Sequence, residues 1–195
     1  MKYFFPIVFT IFFFGCSPNM KKIGLQIDEE YPVEYQRIRA SVSRVVIEDQ
    51  RLGISDRQIK VSNPIFDSSD DHVVPPVTPP LEWYITTEVE KHFVGGDSVA
   101  VYVELLSGSQ EYTRSYSLKS IWINVSSFVA VKIAIVPAYS IPFLEPKFRG
   151  SCSIWESFDQ VSEEVLDVVY KHAMSKAISE CLSSYIRSDN GEGGG

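Results

Sequence analysis

Between Ile121 and Ile135 the apolar residues Ile121, Ile123, Val125, Val129, Val131, Ile133 and Ile135 all fall on odd positions, broken only by Ser127. A helix would scatter them around its circumference. The segment therefore predicts one very long strand, or a pair that keeps its register through a bulge at Ser126-Ser127. The opposite parity carries Trp122, Asn124, Ser126, Phe128 and Lys132, a mixed and partly exposed face. The same two-residue period marks Ile38, Ala40 and Val42 running into Val45-Val46-Ile47, then Val99, Val101, Val103 and Leu105, and finally Phe148, Cys152 and Ile154. These predict strands over 37–47, 98–106 and 147–155, with Ser107-Gly108-Ser109 as a turn.

Two segments change period. After Pro79-Pro80, suited to a helical first turn that needs no amide hydrogen, Leu81, Ile85, Val89 and Phe93 recur every four residues until Gly95-Gly96. Ser157 with Gln160 reads as a capping box opening a last helix that reaches about Arg187. Residues 52–80, rich in Asp, Ser and Pro, read as a long loop with room for a short strand at 58–61. The order β-(long loop)-α-β-β-β-α predicts an α+β domain over 37–187, an antiparallel sheet of about four strands with two helices packed on one face. Residues 188–195 are a Gly-rich tail.

The N-terminus is organised differently. Lys2, an apolar run from Tyr3 to Phe14, and Gly15 make an export signal over 1–15, and a run of about a dozen is too short for the roughly 20 residues of a spanning helix. Phe13-Phe14-Gly15-Cys16 resembles the lipobox of bacterial lipoproteins. That resemblance implies cleavage between Gly15 and Cys16, acyl chains (palmitate among them) on Cys16, and anchoring through lipid. Ser17, where Asp would retain a protein at the inner membrane, implies the outer membrane. Residues 16–36, without sustained periodicity, read as a flexible tether. The formal net charge of −7 becomes −8 once Lys2 is removed, and no Lys/Arg cluster relieves it, which argues against nucleic acid as a partner. The 45% hydrophobic content supports one core.

The remaining residues show no catalytic signature. Cys152 and Cys181 each lie in phase with apolar neighbours, so both can face the layer between sheet and last helix. They either form a disulfide, worth roughly 3–4 kcal/mol for a loop of about 30 residues, or stay as two buried thiols. His72, His92 and His172 are scattered without zinc spacing, and no phosphate loop, dinucleotide fingerprint or nucleophile elbow occurs. The reading is a protein with no metal, no cofactor and no enzymatic activity. Trp83 and Tyr84 on the first helix, with Trp122 and Phe128 on the second face of the long strand, either complete the core or form a partner surface.

With this order of elements, the chain resembles the YajG-type family of small bacterial lipoproteins. The resemblance rests on Gly15-Cys16, the first strand running into Val45-Val46-Ile47-Glu48-Asp49-Gln50-Arg51, the helix over 81–93, the three later strands and the last helix. It implies an envelope location and no enzymatic residues. The expected function is an anchored lipoprotein that binds a protein partner at the envelope, with its sheet face or the 52–80 loop as the contact. The alternative is an auxiliary lipoprotein of a transport system, binding lipid or another apolar ligand over a groove floored by Trp122 and Phe128.

Overall fold

The computed structural model describes residues 20–51, 71–73, 77–116, 121–139, 147–158 and 161–189. In chain order these form α1 (Met20–Glu30), β1 (Ile38–Asp49), β2 (Asp71–Val73), α2 (Pro79–Glu90), β3 (Phe93–Tyr116), β4 (Ile121–Pro137), β5 (Lys147–Phe158) and α3 (Glu163–Asp189). The sheet runs β1-β3-β4-β5, and β2 pairs with the far end of β3. The fold is α+β, but the sheet is mixed: β1 pairs parallel to β3, while the other ladders are antiparallel. A parallel pair needs a crossover, and α2 lies between these two strands in sequence.

The 121–135 pattern forms one 17-residue strand without a bulge of its own. The register shift falls instead on β3, between Leu105 and Ser107. There the chain does not turn. It inserts a residue and changes which parity faces the helices, so Val101, Val103 and Leu105 give way to Gly108 and Gln110. Ser127, the break in the apolar run, is the residue that meets this change. Gln110 Nε2 donates to Ser127 Oγ at 2.8 Å and to the Leu166 carbonyl at 2.7 Å, so the buried amide is hydrogen-bonded.

Helix α2 begins where expected, with Thr78 extended (φ −104°, ψ 163°) and the two prolines in the first turn, but it stops at Glu90. Phe93 opens β3. Gly95 and Gly96, at φ 89° and 131°, belong to that strand, at an irregularity where β3 bulges against Ile38–Ala40. A Cβ on Gly96 would stand 2.7 Å from the Arg39 carbonyl oxygen. The last helix starts at Glu163, with Val165 N–H on Ser162 Oγ at 3.4 Å. Ser157 is still in β5, donating to Asn124 Oδ1 at 2.7 Å. That hydrogen bond takes the side chain a capping box would have used.

One face of the sheet is covered by three helices rather than two. Helix α3 lies across β4 and β5, α2 packs beside it towards β1, and α1 docks on α3. Their interface is the core, built from Ile85 and Val89 of α2, Val169, Ala173, Ala177 and Ile178 of α3, and Val125, Val129, Val131 and Ile133 of β4. Helix α1 arises within the segment read as a tether. Ile23 and Ile27, four residues apart, give it an apolar stripe, and Ile27 is buried. The three residues of β2 likewise lie in the segment read as a loop. The rest of that loop, residues 52–70 and 74–76, the 58–61 strand, Gly15, Cys16 and the tail from 190 lie outside the described residues.

Asp49-Gln50-Arg51 closes β1 onto the β3 bulge. Arg51 is gripped by Asp49 through Nε (2.8 Å) and Nη2 (2.7 Å), and its Nη1 donates to the Gly108 carbonyl at 3.1 Å. Gln50 N–H reaches the Leu105 carbonyl at 3.0 Å. Burial alone would raise the Asp49 pKa. The hydrogen bonds and charge of Arg51 outweigh it and hold the carboxyl below its usual range.

Candidate functional site

The second face of the sheet carries no helix among the described residues. Cross-strand register assembles a surface there that no single segment shows. Phe128 stands opposite Ser109 on β3 and Ser153 on β5, Ser126 opposite Trp155, and Asn124 opposite Ser157. Trp122, Phe128 and Trp155 therefore share one face, with 45%, 39% and 59% of their surface exposed. Trp122 to Phe128 spans six residues of β4, about 20 Å at strand rise. Trp155 lies diagonal to Phe128, one step across the ladder. Between the rings the side chains are small and uncharged (Ser109, Asn124, Ser126, Ser153, Ser157), with Glu111 the carboxylate at the β3 side.

Towards the other end the same face becomes charged. Glu104 accepts from Lys147 and lies 3.5 Å from Lys132. Its burial opposes ionisation, but the Lys147 hydrogen bond and the two ammonium charges prevail and lower its pKa. Arg44 lies over the Tyr102 ring at 5.7 Å and donates to that hydroxyl at 2.7 Å. The aromatic half is thus bounded by a charged cluster in which Glu104 is shared by two ammonium groups.

Of the aromatic residues singled out in the sequence, Trp122 and Phe128 belong to this surface and Trp83 and Tyr84 do not. Trp83 is exposed on α2, in the helical layer. Tyr84 turns into the α2–α3 contact, with its hydroxyl 2.6 Å from Ser175 Oγ and donating to the Lys171 carbonyl at 3.1 Å. Burial pushes its pKa up. Trp155 was missed. It lies on the opposite parity from Cys152 and Ile154, and only the β4–β5 register shows that this parity shares a face with Phe128.

Cys152 and Cys181 do meet the same interface, as free buried thiols without a bridge. Cys181 packs against Gly150, two residues before Cys152. A Cβ on Gly150 would lie 2.9 Å from Cys181 Cβ, and the Cys181 thiol donates to the Phe148 carbonyl at 2.9 Å. Burial raises both thiols, to about 11 for Cys152 and about 12 for Cys181, so neither is an activated nucleophile.

Several polar groups of the helical layer are engaged with one another, while His92 Nε2, Glu156 Oε1 and the Tyr170 hydroxyl have no hydrogen-bond partner among the described residues. Glu88, buried on α2, takes hydrogen bonds from Lys91 and from the Tyr35 hydroxyl (3.0 Å). His92 accepts the Gln36 N–H on Nδ1 at 2.9 Å, and burial lowers its pKa to about 4, so the ring is neutral. A cavity of about 450 Å³ lies between Tyr35, Tyr84, Glu88 and His172. A second, about 720 Å³, follows the β5 edge between Ser151–Ser153 and Lys176–Arg187. Beside it, Tyr31 and Glu180 side chains occupy edge backbone groups of Trp155 and Ser151. Among the described residues no group of three or more His, Cys, Asp and Glu is placed to hold a metal. No described helix is long and apolar enough to cross a membrane.

No family model matches the chain, and no curated protein matches it. Among solved structures, a minor lipoprotein from Acinetobacter baumannii overlaps 83% of this chain and 95% of its own. The identity is 10% and the TM-score 0.32, too loose an overlap to carry an argument about fold or function.

Proposed function

We propose that this protein is a non-enzymatic envelope lipoprotein of the YajG type, anchored at the outer membrane through Cys16, that binds a protein partner on the aromatic half of its uncovered sheet face. The observation that carries the binding role is the convergence of Trp122, Phe128 and Trp155 on one largely uncharged surface. Aromatic side chains that are exposed together and have few charged neighbours are enriched at interface centres. The anchor rests on the Gly15-Cys16 sequence. The alternative needs a groove over Trp122 and Phe128, whereas both lie on an open face, and the cavities described above are lined by other residues.

A photo-crosslinking residue at position 153 in the full chain, expressed in a Gram-negative bacterium, should give a discrete adduct. The same probe at position 163, on exposed α3, should not. Replacing Trp122, Phe128 and Trp155 together by Ser should abolish the adduct while the chain stays folded, at a cost of about 1–3 kcal/mol for the half-buried rings. Equal crosslinking from both positions, or none from 153, would refute the assignment. Mass spectrometry of the mature N-terminus tests the anchor separately: an unacylated Cys16, or a chain that retains Met1, rules it out.

A further inference from the structure

Beside the burial of Ile27, the docking of α1 involves ionisable groups. Glu156 of β5 points into the helical layer with 6% of its surface exposed, and its Oε1 has no hydrogen-bond partner. The carboxyl beside it is Glu30, the last residue of α1. Burial raises the Glu156 pKa, and the hydrogen bond and charge of Glu30 raise it further, to about 7. Two carboxyl groups that share a hydrogen bond need a proton between them. Next to them the α1 terminus is clamped twice. His172 of α3 donates Nε2–H to the Tyr31 carbonyl at 2.6 Å and holds Nδ1 3.2 Å from Asp28 Oδ1, while the Tyr31 hydroxyl donates to the Trp155 carbonyl at 3.0 Å. Both ring nitrogens of His172 thus face oxygen atoms of the α1 end.

The surrounding charges do not cancel this effect. On β4 the residue opposite Glu156 is Val125. Lys176 of α3 is directed to the Pro32 carbonyl, Lys171 is paired with Asp167, and Glu88 and Lys91 of α2 are paired with each other across the cavity from Asp28. The C-terminal end of α1 also carries Asp28, Glu29 and Glu30 with no basic residue in the last turn, so the helix dipole adds to the repulsion when they are ionised.

We infer that α1 is a pH-dependent latch, closed on β5 and α3 while the Glu30–Glu156 pair holds a proton and released as that proton leaves. A carboxyl whose pKa is higher in the closed state favours closure fully below its open-state value near 4.5, and that contribution is lost as the pH rises towards about 7. The consequence for the anchor rests on the proposed acylation of Cys16. With α1 closed, Cys16 lies at most about 14 Å of chain from Met20; with α1 released, extended chain to Arg37 could reach about 70 Å.

Hydrogen exchange of the full chain from pH 5.5 to 8, corrected for the chemical exchange rate, tests the latch whatever the state of Cys16. Opening of residues 20–30 should increase about tenfold to a hundredfold over that range, while β4 amides keep their protection. Glu156→Gln should keep α1 protected at pH 8 and flatten the profile. Glu30→Gln, a change at an exposed position that does not disturb the core, should do the same in part. Protection of α1 that follows β4 at every pH, or a profile unchanged in both variants, would overturn the inference.

Discussion

At the scale of single residues, contacts with backbone set the limits of substitution. Gly150 faces α3 so closely that a Cβ would stand 2.2 Å from the Ala177 carbonyl oxygen and 2.6 Å from the Cys181 nitrogen. Neither atom can turn away as a side chain would. Gly150→Ala should therefore destabilise the domain by about 1–3 kcal/mol, read as a lower urea midpoint. The thiols make a second residue-level prediction. Buried, and with raised pKa values, Cys152 and Cys181 should resist iodoacetamide at pH 8 until the chain is unfolded, then both react without prior reduction. A bridge found by non-reducing mass analysis would contradict the packing of Cys181 against Gly150. Tyr84→Phe should cost about 1 kcal/mol, since it removes the hydroxyl that bonds Lys171 and Ser175, whereas Trp83→Ala on the exposed side of α2 should change little.

At the scale of elements, the strands were legible and their partners were not. Odd-position periodicity predicted β4 because one face of that strand is buried along most of its length. It could not show that β3 passes through Ser107-Gly108-Ser109, because a bulge changes the buried parity and looks in sequence like an end. Helix α1 was missed for a related reason. Its stripe, Ile23 and Ile27, is short and lies among charged residues, and it becomes stable only by burying Ile27 against α3. Ile27→Ala should therefore loosen α1 with a local cost of about 2–4 kcal/mol. The amides of residues 20–30 should lose their exchange protection well before those of β4.

At the scale of the whole molecule, the two faces of the sheet divide the work. The helices bury one face and leave the other with three exposed aromatic rings, so the candidate interface can be altered with little effect on the core. Stability should vary with pH in two opposed ways. The ionised Glu104, held by Lys147 and Lys132, stabilises the fold at neutral pH and loses that contribution as pH falls through its lowered pKa. Glu156 acts in the opposite direction as pH rises. Most of the candidate surface was half-visible in the chain: Trp122 and Phe128 could be placed on one face by parity within β4. Their association with Trp155, and the separation of Trp83 and Tyr84 from them, depended on which strand pairs with which.

What the sequence determined by itself was local. It specified where the period is two and where it is four, where prolines start a helix, which end of the chain carries an apolar run closed by a cysteine after glycine, and that no catalytic motif is spelled out. Those features depend on neighbours within a few residues, and periodicity records them directly. Tertiary structure alone decided the parallel pairing of β1 with β3, the packing of Cys181 against Gly150, the third helix, and the meeting of Glu30 with Glu156. Each depends on groups brought together from distant parts of the chain, and the free energy that selects among such meetings comes from burial and register, which exist only once the layers have packed.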